Sequence, residues 1–396
     1  MPITLLLDLD DTLLDTNMDA FIPAYFKALS GALADRVPPE TMLPALMGGT
    51  KAMMQNTDPA LTLREVFDAY FFPKLGLDRS ELQPAIDRFY DEVFPNLGGL
   101  THPLPEAVRL VDWAFEQGHR VAIATNPLFP LKAIQHRLRW AGLAPEKYPF
   151  ALVTSYETLH FTKETVAFYP EVIAQLGWPD DPTVMVGDDV EREVKPTRAA
   201  GVPVYWVRRN GGSSDAPDVP QGKLEDLRPW LEKADPEKLK LSFETPQALL
   251  ATLRSTPAAL ATLAADLPAP AWTRRPAPGE WCLTEIVCHL RDAEAEVHLP
   301  RLRKVLAEAN PFLPGEETDR WAETRHYADQ DGLAALRDFT SSRKESLDLL
   351  GALQDEWSRP ARHAIFGPTS IQELAGFTAA HDRAHIQQAW KILRGH

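Results

Sequence analysis

Ile3–Leu7 is a short apolar run that stops at Asp8, the pattern of a buried strand ending in polar residues. It recurs at Arg120–Ala124, which stops at Thr125-Asn126-Pro127, and again at Phe150–Thr154, Thr183–Val186 and Pro203–Val207. Helical periodicity with frequent Pro and Gly fills about Asn17 to Phe94, and Ala107–Phe115 reads as a helix closed by Gly118. Strands alternating with helices predict an α/β fold with a parallel sheet, whose ligands bind beyond the carboxyl ends of the strands. Asn210–Asp215 reads as a loop, and a charged stretch from Glu232 to Lys240 leads away from this part. Past it no short β-rich run recurs. Leu249, Leu250, Leu253, Leu260 and Leu263 follow helical spacing after Thr245-Pro246, an N-cap with Pro at the first helical position. Segments 283–308, 331–353 and 370–394 repeat the pattern, so four helices are expected to form a bundle.

At 396 residues the chain exceeds the roughly 250–300 at which one hydrophobic core stops growing, which agrees with two domains. With 44% hydrophobic and 24% charged residues it is no disordered chain. The net charge of −15, from 56 Asp and Glu against 41 Lys and Arg, repels polyanions; neither nucleic acid nor an anionic membrane is expected as partner. The 35 prolines imply many short, punctuated helices. Cys282 and Cys288 form neither a disulfide framework nor a CxxC pair, and no signal-like segment opens the chain; a cytoplasmic location is expected.

Asp8 and Asp10 stand two residues apart where the first strand ends, so both carboxylates can face one ligand. Such a pair suits covalent phosphoryl transfer, one acting as nucleophile and metal ligand, the other as general acid and base. Further polar groups follow at strand ends: Thr125-Asn126, then Lys163 after Thr154-Ser155, then Gly187-Asp188-Asp189 with Glu193 behind it. In this order they resemble the four motifs of the haloacid dehalogenase (HAD) superfamily of hydrolases, over about residues 1–230. The resemblance implies a HAD-like Rossmannoid parallel sheet with a helical cap over about 17–94, and roles for each motif. Asp8 would form an aspartyl-phosphate and Asp10 would serve as acid and base. Mg²⁺ would be held by Asp8, Asp188 and the Asp10 carbonyl, while Thr125 and Lys163, with Asn126 as a further donor, hold the transferring oxygens. Glu193 stands where the family often has Asp, so either it reaches the metal through water or Asp189 takes that place. Lys163 is not followed by the Pro common in the family. Retention of the second carboxylate, Asp10, implies a phosphatase acting on a small phosphorylated metabolite, a phosphomonoester, rather than a dehalogenase. In the cap, Met42, Met47, Met53, Met54, Phe67, Phe71 and Phe72 are expected mainly to pack the lid, with lining of an apolar specificity pocket as the alternative.

His381 and His385 lie four apart, on one face of a helix. His289 lies in another helical segment entered through Pro278-Gly279-Glu280-Trp281, and Ser370 with Glu373 offers a capping box to the helix carrying the pair. With Trp321 to Tyr327 and Gln387-Gln388, this order resembles the DinB-like four-helix family over roughly 246–394. The resemblance implies an all-α DinB-like four-helix bundle at 246–396, joined through a 231–245 linker. It also implies a three-His site of His289, His381 and His385 for Zn²⁺, Ni²⁺ or Fe²⁺, with Asp382 and Glu285 as candidate acceptors for imidazole N–H groups. His298, His326 and His363 fit no such pattern. Besides a phosphatase carrying a metal-binding bundle, two alternatives stand: a bundle that is itself a metal- and thiol-dependent transferase, and a non-enzymatic dimerisation or sensing module regulating the phosphatase. A homodimer through the helical domain is compatible with each.

Overall fold

The computed structural model describes residues 2–209, 216–318 and 320–394; the loop expected at Asn210–Asp215 lies outside the described residues. In chain order the first part runs β1 (Thr4–Leu7), β2 (Leu14–Thr16), α1 (Met18–Leu33), α2 (Pro39–Met54), α3 (Leu63–Leu75), α4 (Arg79–Arg88), β3 (Thr101–Pro103) and α5 (Pro105–Glu116). It continues through β4 (Arg120–Ile123), α6 (Leu131–Trp140), β5 (Leu152–Val153), α7 (Phe168–Gln175), β6 (Thr183–Gly187), α8 (Lys195–Ala199), β7 (Val204–Val207), β8 (Gln221–Gly222) and α9 (Leu224–Lys233). The sheet order is β5-β4-β1-β6-β7-β8, with every neighbouring pair parallel. Leu5, Leu6 and Leu7 of the central β1 are fully buried because helices cover both faces of the sheet. Asp8, Thr125 and Asp188 therefore leave one edge of the sheet side by side, at the carboxyl ends of β1, β4 and β6.

β2 and β3 form a two-stranded antiparallel stalk, and α1–α4 fold between them as the expected cap. Phe21, Tyr25, Phe71, Phe89 and Phe94 give the cap its own core. Met42 and Met53 are buried, whereas Met47 and Met54 face solvent; Phe67, Phe71 and Phe72 do line a small cavity, of about 140 Å³.

The second part runs α10 (Pro246–Ala264), α11 (Ala269–Thr273), α12 (Leu283–Asp292), α13 (Leu299–Ala307), β9 (Phe312–Leu313), α14 (Trp321–Thr324), α15 (Gly332–Gly351), β10 (Pro360–His363), β11 (Gly367–Ser370) and α16 (Ile371–Arg394). Thr245 caps α10 by accepting from the Ala248 N–H, with Pro246 following. At the start of α16 the Glu373 N–H donates to Ser370 Oγ, one of the two capping-box bonds, and the Ser370 hydroxyl donates to the Glu373 carboxylate. A π-helical turn, Ala293–His298, joins α12 to α13, so α10, α12–α13, α15 and α16 make the four long arms of the bundle.

The two parts share one hydrophobic core, in which Phe168 and Val172 of α7 belong with Leu260 of α10 and Ala389 of α16. All eight residues of α7 are buried. Thr262 donates to the Thr158 carbonyl at 2.8 Å, Gln387 to the Trp178 carbonyl at 2.8 Å, and Lys344 pairs with Asp58 at 2.7 Å. Gly177 must be glycine on two counts: its φ is +81°, and a Cβ there would lie 2.5 Å from the Trp390 ring. The segment between the parts also packs, with Leu239 and Phe243 buried and the Ser242 N–H bonded to the Gly201 carbonyl.

Candidate functional site

The strand-end cluster centres on Lys163. It is buried, and its ammonium lies 2.5 Å from Asp8 Oδ1 and 2.5 Å from Glu193 Oε1. Burial alone would lower its pKa, but the Asp8 and Glu193 carboxylates outweigh that and raise it, keeping the ammonium charged. Asp8, Asp188 and Glu193 each bring a carboxylate oxygen within 4.8 Å of the others. Burial, with Asp8 and Asp11 close by, pushes Asp188 up to about 7. Burial and then Asp8 hold Glu193 well above the usual carboxylate range. Three carboxylates thus crowd one ammonium, an excess of acidic groups that offers hard oxygen ligands to a cation. Mg²⁺ fits this donor set.

Asp10 stands at the side of the cluster. Its Oδ1 accepts from Thr16 Oγ1 at 2.9 Å and is ion-paired with Arg137, a buried guanidinium lying over the Phe21 and Phe129 rings. Burial raises the Asp10 pKa against the opposing pull of Arg137. Asp11 carries the chain away from the site at a left-handed φ of 58°.

Two expected site residues serve other contacts. Asn126 is a brace: its Oδ1 accepts the Lys163 N–H at 3.2 Å, and its amide donates to Glu164. Asp189 caps the π-helical turn Val190–Val194, accepting the Glu191 and Arg192 N–H groups and pairing with the Arg192 side chain. That turn swings Glu193 back over Gly187, and its Oε2 accepts the Asp189 N–H at 3.0 Å. Of the two acids left open by the sequence, Glu193 is the one beside Asp8 and Asp188. Thr125, buried at the end of β4, holds Thr154 through its carbonyl at 2.7 Å and makes no side-chain hydrogen bond among the described residues.

The second cluster forms where α12 meets α16. His381 Nε2 lies 2.9 Å from His289 Nε2 and 3.2 Å from His385 Nε2, so three ring nitrogens converge. Burial, followed by the neighbouring imidazoles, lowers His289 to about 3 and His385 to about 4, so both rings keep free lone pairs at neutral pH. His385 Nδ1 is oriented by Gln388 at 2.8 Å, and Trp281 stacks parallel to the His385 ring. This donor set fits a divalent transition metal. Of the two candidate acceptors, Asp382 stands with its Oδ1 3.8 Å from His381 Nδ1. Glu285 pairs with Arg275 and accepts the Cys282 N–H, and Asp382, fully buried, pairs with Arg343. Cys282 and Cys288 are buried free thiols; burial pushes Cys288 up to about 11, so neither is an activated nucleophile.

Sequence reasoning missed Arg137, since nothing in a helical pattern tells a buried arginine from a surface one. It also passed over His298, whose ring stands 5.4 Å from that of His381. The available signal was Glu294 four residues before His298, one helical turn apart on the same face.

Fold and site define an α/β enzyme with a capped, strand-end carboxylate centre, joined to an all-α bundle with a convergent histidine cluster. The chain belongs to the haloacid dehalogenase-like hydrolases, whose family model matches residues 4–201, and residues 252–389 match the DinB superfamily. It is 27% identical over 255 residues to phosphoserine phosphatase from Thermus thermophilus, spanning 57% of this chain and 96% of that protein. It is 26% identical over 212 residues to phosphoglycolate phosphatase from Agrobacterium fabrum, spanning 54% and 82%. Among solved structures, 2-haloacid dehalogenase from Pseudomonas syringae aligns with 59% of this chain and 99% of its own, at TM-score 0.41 and 22% identity. YfiT from Bacillus subtilis, a protein of unusual four-helix bundle topology, aligns with 39% and 89%, at TM-score 0.36 and 20% identity. Among the described residues no helix is long and apolar enough to cross a membrane.

Proposed function

We propose that residues 1–230 form a Mg²⁺-dependent phosphatase for a small phosphomonoester, joined through 231–245 to a metal-binding bundle at 246–396. The observation that carries this reading is the Asp8 carboxylate held at 2.5 Å by a buried lysine between two further acids. The similarity to two phosphatases supports the same class of reaction. The Asp8 carboxylate attacks phosphorus, and the ester P–O bond breaks as the leaving oxygen takes the proton of Asp10. Asp10 then removes a proton from water, which attacks the phosphorylated Asp8, frees phosphate and restores the carboxylate. Lys163 and Thr125 hold the transferring oxygens throughout. Mg²⁺ would be held by Asp8 and Asp188, with Glu193 beside them, and would supply neutralisation of phosphoryl charge. Arg137 and Thr16 hold the Asp10 carboxyl until substrate arrives, and the raised pKa of Asp10 suits the acid role.

Hydrolysis of p-nitrophenyl phosphate with Mg²⁺ tests this. Asp8→Asn is expected to lower kcat by about 10³-fold or more with unchanged thermal stability; activity at the wild-type rate would overturn the reading. The bundle's His289, His381 and His385 hold a transition metal in this proposal. Elemental analysis of His381→Ala protein, compared with wild type, is expected to show that metal lost.

A further inference from the structure

Beside the β10–β11 hairpin the bundle contains a cavity of about 220 Å³ that none of the expected chemistry uses. Leu253, Leu302, Leu350, Ile371 and Ala375 supply apolar wall. Phe366 and Phe377, ring centroids 4.2 Å apart and both exposed, belong to the lining and reach solvent. The polar lining falls into two sets, of which the first is engaged within the bundle. Arg343 bonds Glu294 at 2.7 Å, Ser346 donates to Glu294, and His298 Nδ1 faces the same carboxylate at 3.5 Å. The Thr378 hydroxyl donates to the Leu374 carbonyl at 3.1 Å, and His381 belongs to the histidine cluster.

His363 and Arg301 are the second set. His363 is buried at the end of β10, and its Nδ1 accepts the Ile365 N–H at 3.2 Å and the Phe366 N–H at 3.4 Å, which closes the turn to β11. With Nδ1 an acceptor, the proton of the neutral ring is on Nε2, and a charged ring would carry one there too; Nε2 is a donor in either state. It is buried and has no hydrogen-bond partner among the described residues. β9 runs parallel to β10 with Leu313 opposite His363, and Arg301 donates to the Pro314 carbonyl, one residue on, at 2.7 Å. Burial lowers the Arg301 pKa against the pull of Glu316, and Arg301 forms no ion pair among the described residues. A guanidinium without a counter-ion and a buried N–H without an acceptor therefore border one mainly apolar cavity.

We propose that this cavity is a binding site for a small apolar acid, whose carboxylate accepts from His363 Nε2 and pairs with Arg301 while its hydrocarbon part rests on the leucine side chains. An apolar cavity of about 150 Å³ takes benzene, so one of about 220 Å³ admits a methyl-substituted ring with its carboxylate. The site is separate from the phosphatase centre. It shares only the His381 ring with the cleft, of about 610 Å³, that His289, His385 and Trp281 line.

Titration calorimetry on the full-length chain with 4-methylbenzoate, 4-methylbenzamide and p-xylene tests it. 4-Methylbenzoate is expected to bind at least about tenfold more tightly than either neutral probe, the worth of a charge-assisted hydrogen bond. Arg301→Met is expected to bring it down to the affinity of the amide, with p-xylene unaffected. Ala375→Phe, which fills the cavity, is expected to abolish binding of all three. Equal affinity of wild type for the three probes, or no binding of any, overturns the proposal. So does undiminished binding of 4-methylbenzoate to Ala375→Phe, which would put the acid in the histidine cleft instead. The wild-type comparison decides even if a variant fails to fold.

Discussion

Gly187 has no side chain because Glu193 occupies the space where one would begin: a Cβ there would stand 1.9 Å from Glu193 Oε2. Gly187→Ala must therefore displace the carboxylate that completes the Asp8–Asp188 cluster. The expected result is weaker Mg²⁺ binding by calorimetry, at least about tenfold, with a smaller change in thermal stability. Arg343 is a different kind of residue, a buried guanidinium between Glu294 and Asp382. Arg343→Met leaves two buried carboxylates unpaired, and a loss of about 3–5 kcal/mol in denaturant unfolding is expected. The same group sets an acid limit. Burial by itself would raise Glu294, but Arg343 and His298 reverse that and lower it to about 2, below its ordinary range. A depressed carboxylate pKa stabilises the fold above about pH 4.5 and ceases to do so as pH falls toward 2, so the melting temperature should drop across that window. Asp8 was legible because it ends an apolar run, His381 and His385 because they stand four apart in a helical segment, and Lys163 and His289 only through their place in an ordered set of motifs. The choice of Glu193 over Asp189 was not, since it depends on a π-helical turn that reverses the direction of one side chain.

At the level of elements, β1, β4, β6, β7 and the four long helices follow directly from hydrophobic period, whereas β5 keeps only Leu152–Val153 of the run at Phe150–Thr154. β8 and β9, with two residues each, carry too few positions for any period to register, and β10 and β11, PARH and GPTS, hold no apolar run to mark them. α7 was harder still. Its sequence, FYPEVIAQ, holds Glu171 and Gln175 among apolar residues, yet it exposes no face. Glu171 is buried because its carboxylate accepts the His160 and Phe161 N–H groups and the His160 ring, and thereby secures the segment leading to Lys163. Glu171→Leu keeps the volume but leaves those donors unpaired; a loss of about 1–3 kcal/mol per unsatisfied group is expected, together with a fall in kcat. Gly177→Ala, at the end of the same helix, combines a strained φ with a collision against Trp390 and should lower the melting temperature of the whole chain.

For the molecule as a whole, the core shared by α7, α10 and α16 makes two separately recognisable families into one folding body. A single cooperative transition is expected by calorimetry, and two well-separated transitions would contradict it. A chain ending near residue 240 should aggregate, because it uncovers the apolar side of α7. The same wall constrains synthesis. α7 ends at Gln175 and α10 ends at Ala264, so about 90 residues must be added before the first covering helix is complete. At roughly 5–20 residues per second, the nascent chain carries a bare helix face for several seconds on the ribosome. During that interval its protection falls to chaperones, and a ribosome stalled between the two helices would release a fragment that quality control must remove.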